Sequence, residues 1–204
     1  HNQNYETFDQ FLEFLTSRKR KNIRKERDSI QESGIRFEHL TGDTIKPIHW
    51  DIFYQCYLAT IEKKWGGAYL TRMFFESLYG NIADKILLIL AYDGDTPIAG
   101  ALNFIGSDAL YGRNWGGLRD VPFLHFETCY YQAIDFAIKM SLKRVEAGAQ
   151  GLHKVPRGYL PSKTYSAHKI LNPQFEEAIM RFLRQEALQN QEEALLIAKT
   201  SPYK

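Results

Sequence analysis

Apolar residues near the start of the chain recur every three or four positions, as they do on one face of a helix. They are Phe8, Phe11, Leu12 and Leu15. This spacing, closed by Gly34, predicts one helix over "NYETFDQFLEFLTSRKRKNIRKERDSIQESG". The alternation in "IRFEHL" (35–40) then predicts a strand. Two more helices are predicted over "PIHWDIFYQCYLATIEKKW" and over "TRMFFESLYGNI", the second with Thr71 as a candidate cap.

From Lys85 onward the period changes to that of strands. Three apolar runs, separated by the turns "DGDTP" and "SD", predict a three-stranded antiparallel meander. A helix over "DVPFLHFETCYYQAIDFAIKMSL", strands over "RVEAGAQG" and "PSKTYSAH", and a closing helix from about Asn172 complete the pattern. This order predicts an α+β protein with one domain over residues 1–204 and a mixed sheet covered by helices.

The composition narrows the class of protein further. The 204 residues, 44% hydrophobic and 25% charged, suit one globular core. No apolar run approaches the roughly 18–20 residues that cross a bilayer, and the N-terminus lacks the order of a secretory signal, which favours the cytoplasm. Cys56 and Cys129 lack metal-ligand spacing, so we expect two reduced thiols and no metal site.

Positive charge is concentrated in one segment although the formal net charge is only +2. The stretch "SRKRKNIRKER" (17–27) places seven basic residues in eleven positions, with Arg20, Arg24 and Arg27 on one predicted helical face. Two interpretations fit this segment. It is either a solvated helix face or a patch that binds the phosphates of a nucleotide, of coenzyme A or of an RNA such as tRNA.

Polar residues also follow the predicted strand "RVEAGAQG". Glu146 and Gln150 would share one face of that strand on either side of Gly148, where they could hold an extended substrate or make structural hydrogen bonds. The following loop "HKVPRGY" suits an anionic substrate because it contains His153, Lys154 and Arg157. His153 and, farther on, His168 are either general bases or ordinary loop histidines.

Two more candidates lie before and within the helix that carries "LHFE". Glu127 lies beside the apolar stripe of that helix, so it is either a structural cap or a base, with burial raising and the helix N-terminus lowering its pKa. Ahead of the helix, Arg113, Gly116 and Gly117 are predicted to form a strand-to-helix turn. The backbone amides of such a turn could approach a pyrophosphate.

Long motifs, in order along nearly the whole chain, resemble one known family. They are "SRKRKNIRKER", "LTGD", "KKWGGAYLTRMFF", "IAGALNFIGSDALYGRNWGG", "FLHFETCYYQAIDFAI", "VEAGAQGLHKVPRGYLP" and "TYSAHKI". They look like the predicted N-acyltransferases of the Fem-like peptidoglycan biosynthesis/recognition group, whose fold belongs to the GNAT superfamily. The resemblance implies a GNAT-like, mostly antiparallel sheet splayed at its middle, with the donor entering near the strand and turn before the helix that carries "LHFE". Members are longer, and this chain resembles their C-terminal half.

The resemblance also implies which residues form the site. The family's polar motifs fall on His125, Glu127, Glu146, Gln150, His153, Lys154, Arg157, Ser166 and His168. Two departures stand out. Leu152 replaces the glutamate of the family's "GEHK", and Leu118 breaks the GNAT pyrophosphate signature in "RNWGGL". The second departure leaves two donors open, acyl-CoA and the aminoacyl-tRNA used by Fem transferases.

Two hypotheses for function follow. The first is an N-acyltransferase that moves an acyl or aminoacyl group onto an amine, for example that of a peptidoglycan precursor. In it Glu127 or His153 is the catalytic base, Glu146 and Gln150 position the acceptor, and the Arg113 turn contacts the donor phosphates. The second is a non-catalytic module that recognises a cell-wall precursor or RNA.

Overall fold

A computed structural model describes residues 1–63, 67–148 and 151–204 of the chain. These residues form two compact units, His1–Gln150 and Gly151–Lys204. The expectation of one domain over residues 1–204 stays a prediction.

The first unit contains six α-helices and five strands among its described residues. The helices are α1 (Phe8–Glu13), α2 (Ser17–Glu32), α3 (Pro47–Glu62), α4 (Arg72–Ile82), α5 (Leu124–Phe126) and α6 (Gln132–Lys139). The strands are β1 (Ile35–Thr41), β2 (Ile86–Asp93), β3 (Thr96–Ile105), β4 (Ala109–Gly117) and β5 (Arg144–Glu146). Short 3₁₀ turns, Gly42–Thr44 and Ala83–Lys85, precede α3 and β2.

The five strands form one sheet in the order β1-β2-β3-β4-β5. The first three neighbouring pairs are antiparallel, and β4 with β5 is parallel. Alternate residues of β2 enter two separate cores: Leu88 and Leu90 pack with Trp50 and Phe53 of α3, and Leu87 packs with α6 on the other face. The predicted fold class, a mostly antiparallel mixed sheet covered by helices, is therefore confirmed.

The first predicted helix is two helices. Thr7 caps α1 by accepting a hydrogen bond from the Gln10 amide, and α1 ends at Glu13 with Phe14 as its C-cap. Thr16 has an extended ψ of 149° and is the N-cap residue of α2. The apolar spacing of Phe11 and Leu15 continues across the break because both side chains are buried. Periodicity alone could not show where the backbone turns.

The helix after β4 contains a π-helical turn. Residues Glu127–Tyr131 form this turn between α5 and α6, so the backbone is helical from Leu124 to Lys139. Phe123 precedes it with φ +66°, a left-handed conformation that costs a residue with a Cβ atom some energy. π-turns inside helices are frequent at functional sites.

In the second unit, Leu152–Arg157 form a 3₁₀ helix and Pro173–Ala198 form α7. α7 begins where predicted, and Asn172 caps it, because its Oδ1 accepts hydrogen bonds from the Gln174 and Phe175 amides. The predicted strand "PSKTYSAH" is wrong: residues 161–168 have no regular secondary structure and are exposed throughout, so they have no packed face. Within the described ranges, no helix is long and apolar enough to span a membrane.

Candidate active site

The sheet opens between β4 and β5. These strands pair in parallel over only three residues each, Ala109–Tyr111 with Arg144–Glu146. β4 then continues through Gly112–Gly117 without a strand partner on that side in the described part of the chain. We call the region around residues 112–114 and 146–148 the β4–β5 opening. Backbone N–H and C=O groups on the unpaired side of a strand are free to bind another molecule.

A β-bulge lies at the opening. The register of β3 with β4 jumps from Asn103 opposite Gly112 to Leu102 opposite Asn114, which leaves Arg113 unpaired. A Cβ atom on Gly112 would lie 3.4 Å from the Glu146 carbonyl oxygen and 3.5 Å from the Asn103 Oδ1 atom. Asn103 is buried, a feature that the sequence analysis missed because a single amide in an apolar run carries no spacing signal.

Glu146 is fixed at the end of β5 beside the opening. The Arg144 Nε atom donates to its Oε1 atom at 2.9 Å, and the Arg144 Nη1 atom donates to Asp108 at 2.6 Å. The Arg144 Nη2 atom also contacts the Tyr111 hydroxyl at 3.3 Å. These contacts hold a half-buried carboxylate in place at the opening.

The strand that carries Glu146 is shorter than predicted. β5 ends at Glu146, and Gly148 has φ +75°, which interrupts the alternation of side chains assumed over "RVEAGAQG". Gln150, the second predicted acceptor-positioning residue, lies outside the described residues.

The predicted donor turn lies within a strand. Gly116 and Gly117 are buried residues of β4, and Arg113 is exposed in the same strand, so the strand-to-helix turn placed there is wrong. A Cβ atom on Gly116 would come within 1.8 Å of the Cys56 carbonyl oxygen. This glycine therefore lets β4 pack against the backbone of α3. Donor binding by Arg113, Gly116 and Gly117 stays a prediction.

Glu127 lies in a buried network between α2 and the π-turn. Its side chain is only 4% exposed, and its Oε1 atom accepts from Arg27 Nη2 at 3.0 Å and from Gln132 Nε2 at 2.7 Å. Arg27 Nη2 also donates to Asp135 at 2.7 Å, and its guanidinium lies 4.2 Å over the Phe8 ring. We call Arg27, Glu127 and Asp135 the Arg27 triad.

The electrostatics of Glu127 are dominated by burial. Burial raises the pKa of Glu127, while Arg27 and the hydrogen bond from Gln132 oppose that rise. Its Oε2 atom is buried and has no hydrogen-bond partner in the described residues. With 4% of its side chain exposed, Glu127 presents little surface to a substrate, and its role as the catalytic base stays a prediction.

The inward orientation of Arg27 differs from the sequence-based expectation. The sequence placed Arg27 on one basic face with Arg20 and Arg24, but Arg24 makes an exposed ion pair with Asp9. Arg27 points into the protein because it lies in the same quarter of α2 as the buried Ile23 and Ile30. The sequence could have predicted this orientation, because residues 23, 27 and 30 are four and three positions apart and therefore share one face of a helix.

His125 lies among aromatic rings one residue after the start of α5. Its ring centroid is 5.1 Å from Trp115 of β4, 5.4 Å from Tyr130 and 5.6 Å from Phe126. Trp115 follows the β-bulge on β4, so this half-buried imidazole contacts the strand that borders the opening.

In the second unit, the basic loop is a 3₁₀ helix. Arg157 is buried, and its Nη1 atom donates to the His153 carbonyl oxygen at 2.6 Å. Partial burial, with the cations of Lys154 and Arg157, lowers the pKa of His153. A neutral imidazole of this kind can accept a proton near neutral pH.

Two further predicted residues form a pair in the same unit. The His168 Nε2 atom lies 3.1 Å from the Ser166 Oγ atom, on an exposed stretch without regular secondary structure. Substrate binding by these two residues, and by the residues of the basic 3₁₀ helix, stays a prediction.

Comparison with solved structures gives distant matches, which include three proteins. An aminoglycoside acetyltransferase from an uncultured soil metagenomic sample, in complex with sisomicin, is 10% identical, with a TM-score of 0.49 over 70% of this chain and 99% of that chain. L-PGS from Bacillus licheniformis is 9% identical, with a TM-score of 0.45 over 64% of this chain and 41% of that chain. Glucosamine-6-phosphate N-acetyltransferase from Arabidopsis thaliana is 10% identical, with a TM-score of 0.40 over 67% of this chain and 99% of that chain.

Comparison with curated proteins gives no match. Comparison with family models gives a match along the whole chain. The matching model is FemAB-like, described as peptidoglycan biosynthesis/recognition, and it covers residues 1–204. The resemblance found in the sequence motifs is thereby confirmed, and the chain belongs to the FemAB-like family.

Proposed function

We propose that this protein is an N-acyltransferase that moves an acyl or aminoacyl group onto an amine at the β4–β5 opening. The observation that carries the proposal is the short parallel pairing of β4 with β5, followed at once by the β-bulge and Gly112. An unpaired strand edge can donate backbone N–H groups to a carbonyl oxygen. The family description, peptidoglycan biosynthesis/recognition, supports a cell-wall precursor as the source of the amine.

The transfer needs no covalent enzyme intermediate. The acceptor nitrogen attacks the carbonyl carbon of a thioester or ester, a C–N bond forms, and the tetrahedral intermediate carries an oxyanion. Backbone N–H groups of β4 near Gly112 are our candidates for stabilising that oxyanion. The C–S or C–O bond then breaks, and the proton lost by the amine reaches the leaving group through a base. Holding both reactants in one register supplies much of the acceleration in such a step.

Glu146 is our candidate for orienting the acceptor. Its carboxylate lies beside the opening, where the contact from Arg144 fixes it, and a carboxylate attracts the ammonium form of an amine. Glu127 and His153 remain the predicted bases. Arg113 is exposed and has no ion-pair partner among the described residues, which suits a contact with donor phosphates.

Two donors and one alternative function remain open. Acyl-CoA and aminoacyl-tRNA both present a carbonyl beside a phosphate-bearing leaving group, and tRNA binding through Arg18 to Arg27 stays a prediction. The alternative is a module that recognises a cell-wall precursor without catalysis, which the family description also covers. The cytoplasmic location stays a prediction as well.

A release assay tests the proposal. Purified protein is incubated with a panel of amines, including muropeptides, and with either acetyl-CoA or aminoacyl-tRNA, while free thiol or deacylated tRNA is measured. We expect amine-dependent release that falls at least about tenfold in Glu146→Gln, one lost transition-state contact being worth that much. The control is Lys139→Gln, a change at the exposed last residue of α6. Muropeptide binding without release of either leaving group would favour the recognition module.

A further inference from the structure

Residues 18–25 of α2 carry an unusual excess of unpaired positive charge. Five side chains between positions 18 and 25 make no ion pair or side-chain hydrogen bond with any described residue. They are Arg18, Lys19, Arg20, Lys21 and Lys25. Arg24 contacts Asp9 at the surface, with 52% and 75% of the two side chains exposed. The chain has 24 acidic residues, yet few of them neutralise this segment.

The arrangement works against the helix itself. α2 has no acidic residue in its first turn, and Thr16 makes no side-chain capping bond. Cations near a helix N-terminus oppose the helix macrodipole, so this distribution reduces the stability of α2. Ile23 and Ile30 are buried and hold the helix on the protein, which leaves the basic side chains directed outward. A surface retained at a cost to stability is a candidate for binding a partner.

The partner must supply several negative charges close together. Arg20, Lys21, Arg24 and Lys25 lie along one side of α2. Asp28 and Glu32 follow on the same side of the helix, so the cationic part is confined to about 10 Å of helix at 1.5 Å per residue. The chain also exposes 43% of Phe14, three residues before α2 begins.

We propose that the basic turns of α2, with Phe14, form a peripheral binding surface for membranes that contain anionic lipids. The headgroup phosphates of a membrane suit this short cationic segment. A negatively charged membrane surface attracts a local cluster of cations and does not require positive charge along the whole helix. Phe14 provides the apolar contact that the interface of a bilayer accepts. The phosphates of an RNA stem extend well beyond 10 Å and would meet Asp28 and Glu32. This proposal does not depend on acyl transfer at the β4–β5 opening.

Vesicle co-sedimentation tests the proposal on the full chain. The probes are vesicles of phosphatidylcholine with 30% phosphatidylglycerol and vesicles of phosphatidylcholine alone, each at about 0.1 M salt, where the Debye length is about 10 Å. We expect binding to the anionic vesicles only. Each basic residue near an anionic surface contributes about fivefold in partitioning, so K21E/K25E should bind at least about 30-fold more weakly.

The control reverses two lysines elsewhere. K139E/K143E makes the same change in net charge at two exposed positions, the last residue of α6 and a residue after it. This variant should bind like the original chain. Circular dichroism and the melting temperature verify folding of both variants, and the milder K21Q/K25Q replaces the reversal if it fails to fold. Equal loss in both double variants, or no binding to anionic vesicles, overturns the proposal. Binding to tRNA that exceeds vesicle binding and is lost in K21E/K25E also overturns it and assigns the surface to RNA.

Discussion

The carboxyl group of Glu127 is under two opposing influences that a sequence cannot weigh. Burial disfavours its ionised form, and Arg27 favours it. The net effect raises its pKa, which means that the folded protein binds a proton at this site more tightly than the unfolded chain does. The stability contributed by this proton is fully present below the unfolded pKa and is lost as the pH rises through the folded pKa.

Glu127→Gln should therefore change the pH dependence of stability. The amide binds no proton, so the free energy of unfolding of the variant should rise relative to that of the original chain as the pH increases above about 4.5. Each unit by which the folded pKa exceeds the unfolded one adds about 1.4 kcal/mol to this relative change. Urea unfolding between pH 5 and pH 8 measures it, with the exposed Glu13→Gln as a control for loss of one charge. A relative decrease with rising pH would contradict the assignment.

Gly116 shows how one missing side chain positions a strand. A Cβ atom there would overlap the Cys56 carbonyl group, so Gly116→Ala must push β4 away from α3. We expect a loss of about 3 kcal/mol in the free energy of unfolding, at the upper end of overpacking effects. Gly80→Ala is the matched control: apart from the backbone of α4 itself, no atom of the described residues lies within 4 Å of its Cβ position, and helix propensity predicts a gain of about 0.5–1 kcal/mol. Equal effects of the two variants, measured by chemical denaturation, would refute this interpretation.

At the scale of the element, the sequence predicted the features that nearby residues determine, namely helix caps and the turns between strands. Thr71 caps α4 by accepting from the Phe74 amide, and the turns between β2, β3 and β4 lie where the polar breaks are. The sequence did not show the break at Thr16, the π-turn or the inward orientation of Arg27, because each depends on which neighbour the backbone meets. For the same reason, alternation at residues 161–168 gave a false strand. The sequence identified candidate residues for the site by their chemical type. Which of those residues contact one another depends on the fold and could not be predicted from the sequence.

The Arg27 triad should determine how firmly α2 is held on the π-turn and α6. Arg27→Ala leaves the buried Glu127 carboxylate without its counter-charge, and breaking a buried pair in this way costs about 3–5 kcal/mol. Arg27 is 26% exposed and Asp135 33%, so solvent screening lowers the expected loss to about 2–3 kcal/mol. The control on the same helix is Arg24→Ala, whose exposed pair with Asp9 contributes about 0–1 kcal/mol. Similar losses for both arginines in thermal or urea unfolding would show that the triad is no stronger than a surface pair.

At the scale of the whole molecule, burial is distributed unequally between the two units. β2 has seven buried residues in succession, whereas α7 is 26 residues long and has none. Amide hydrogens of β2 should then exchange only when the first unit unfolds, and those of α7 should exchange through local opening, many times faster. Hydrogen exchange with mass spectrometry on the full chain measures both at once. A dilution series is the necessary control, because the exposed apolar side chains of α7, such as Phe182 and Leu195, could be covered by a second copy of the chain. If α7 were as protected as β2 at every concentration, its stability would have to come from contacts that burial in this structure does not provide. Protection that appeared only at high concentration would show that a second copy supplies them.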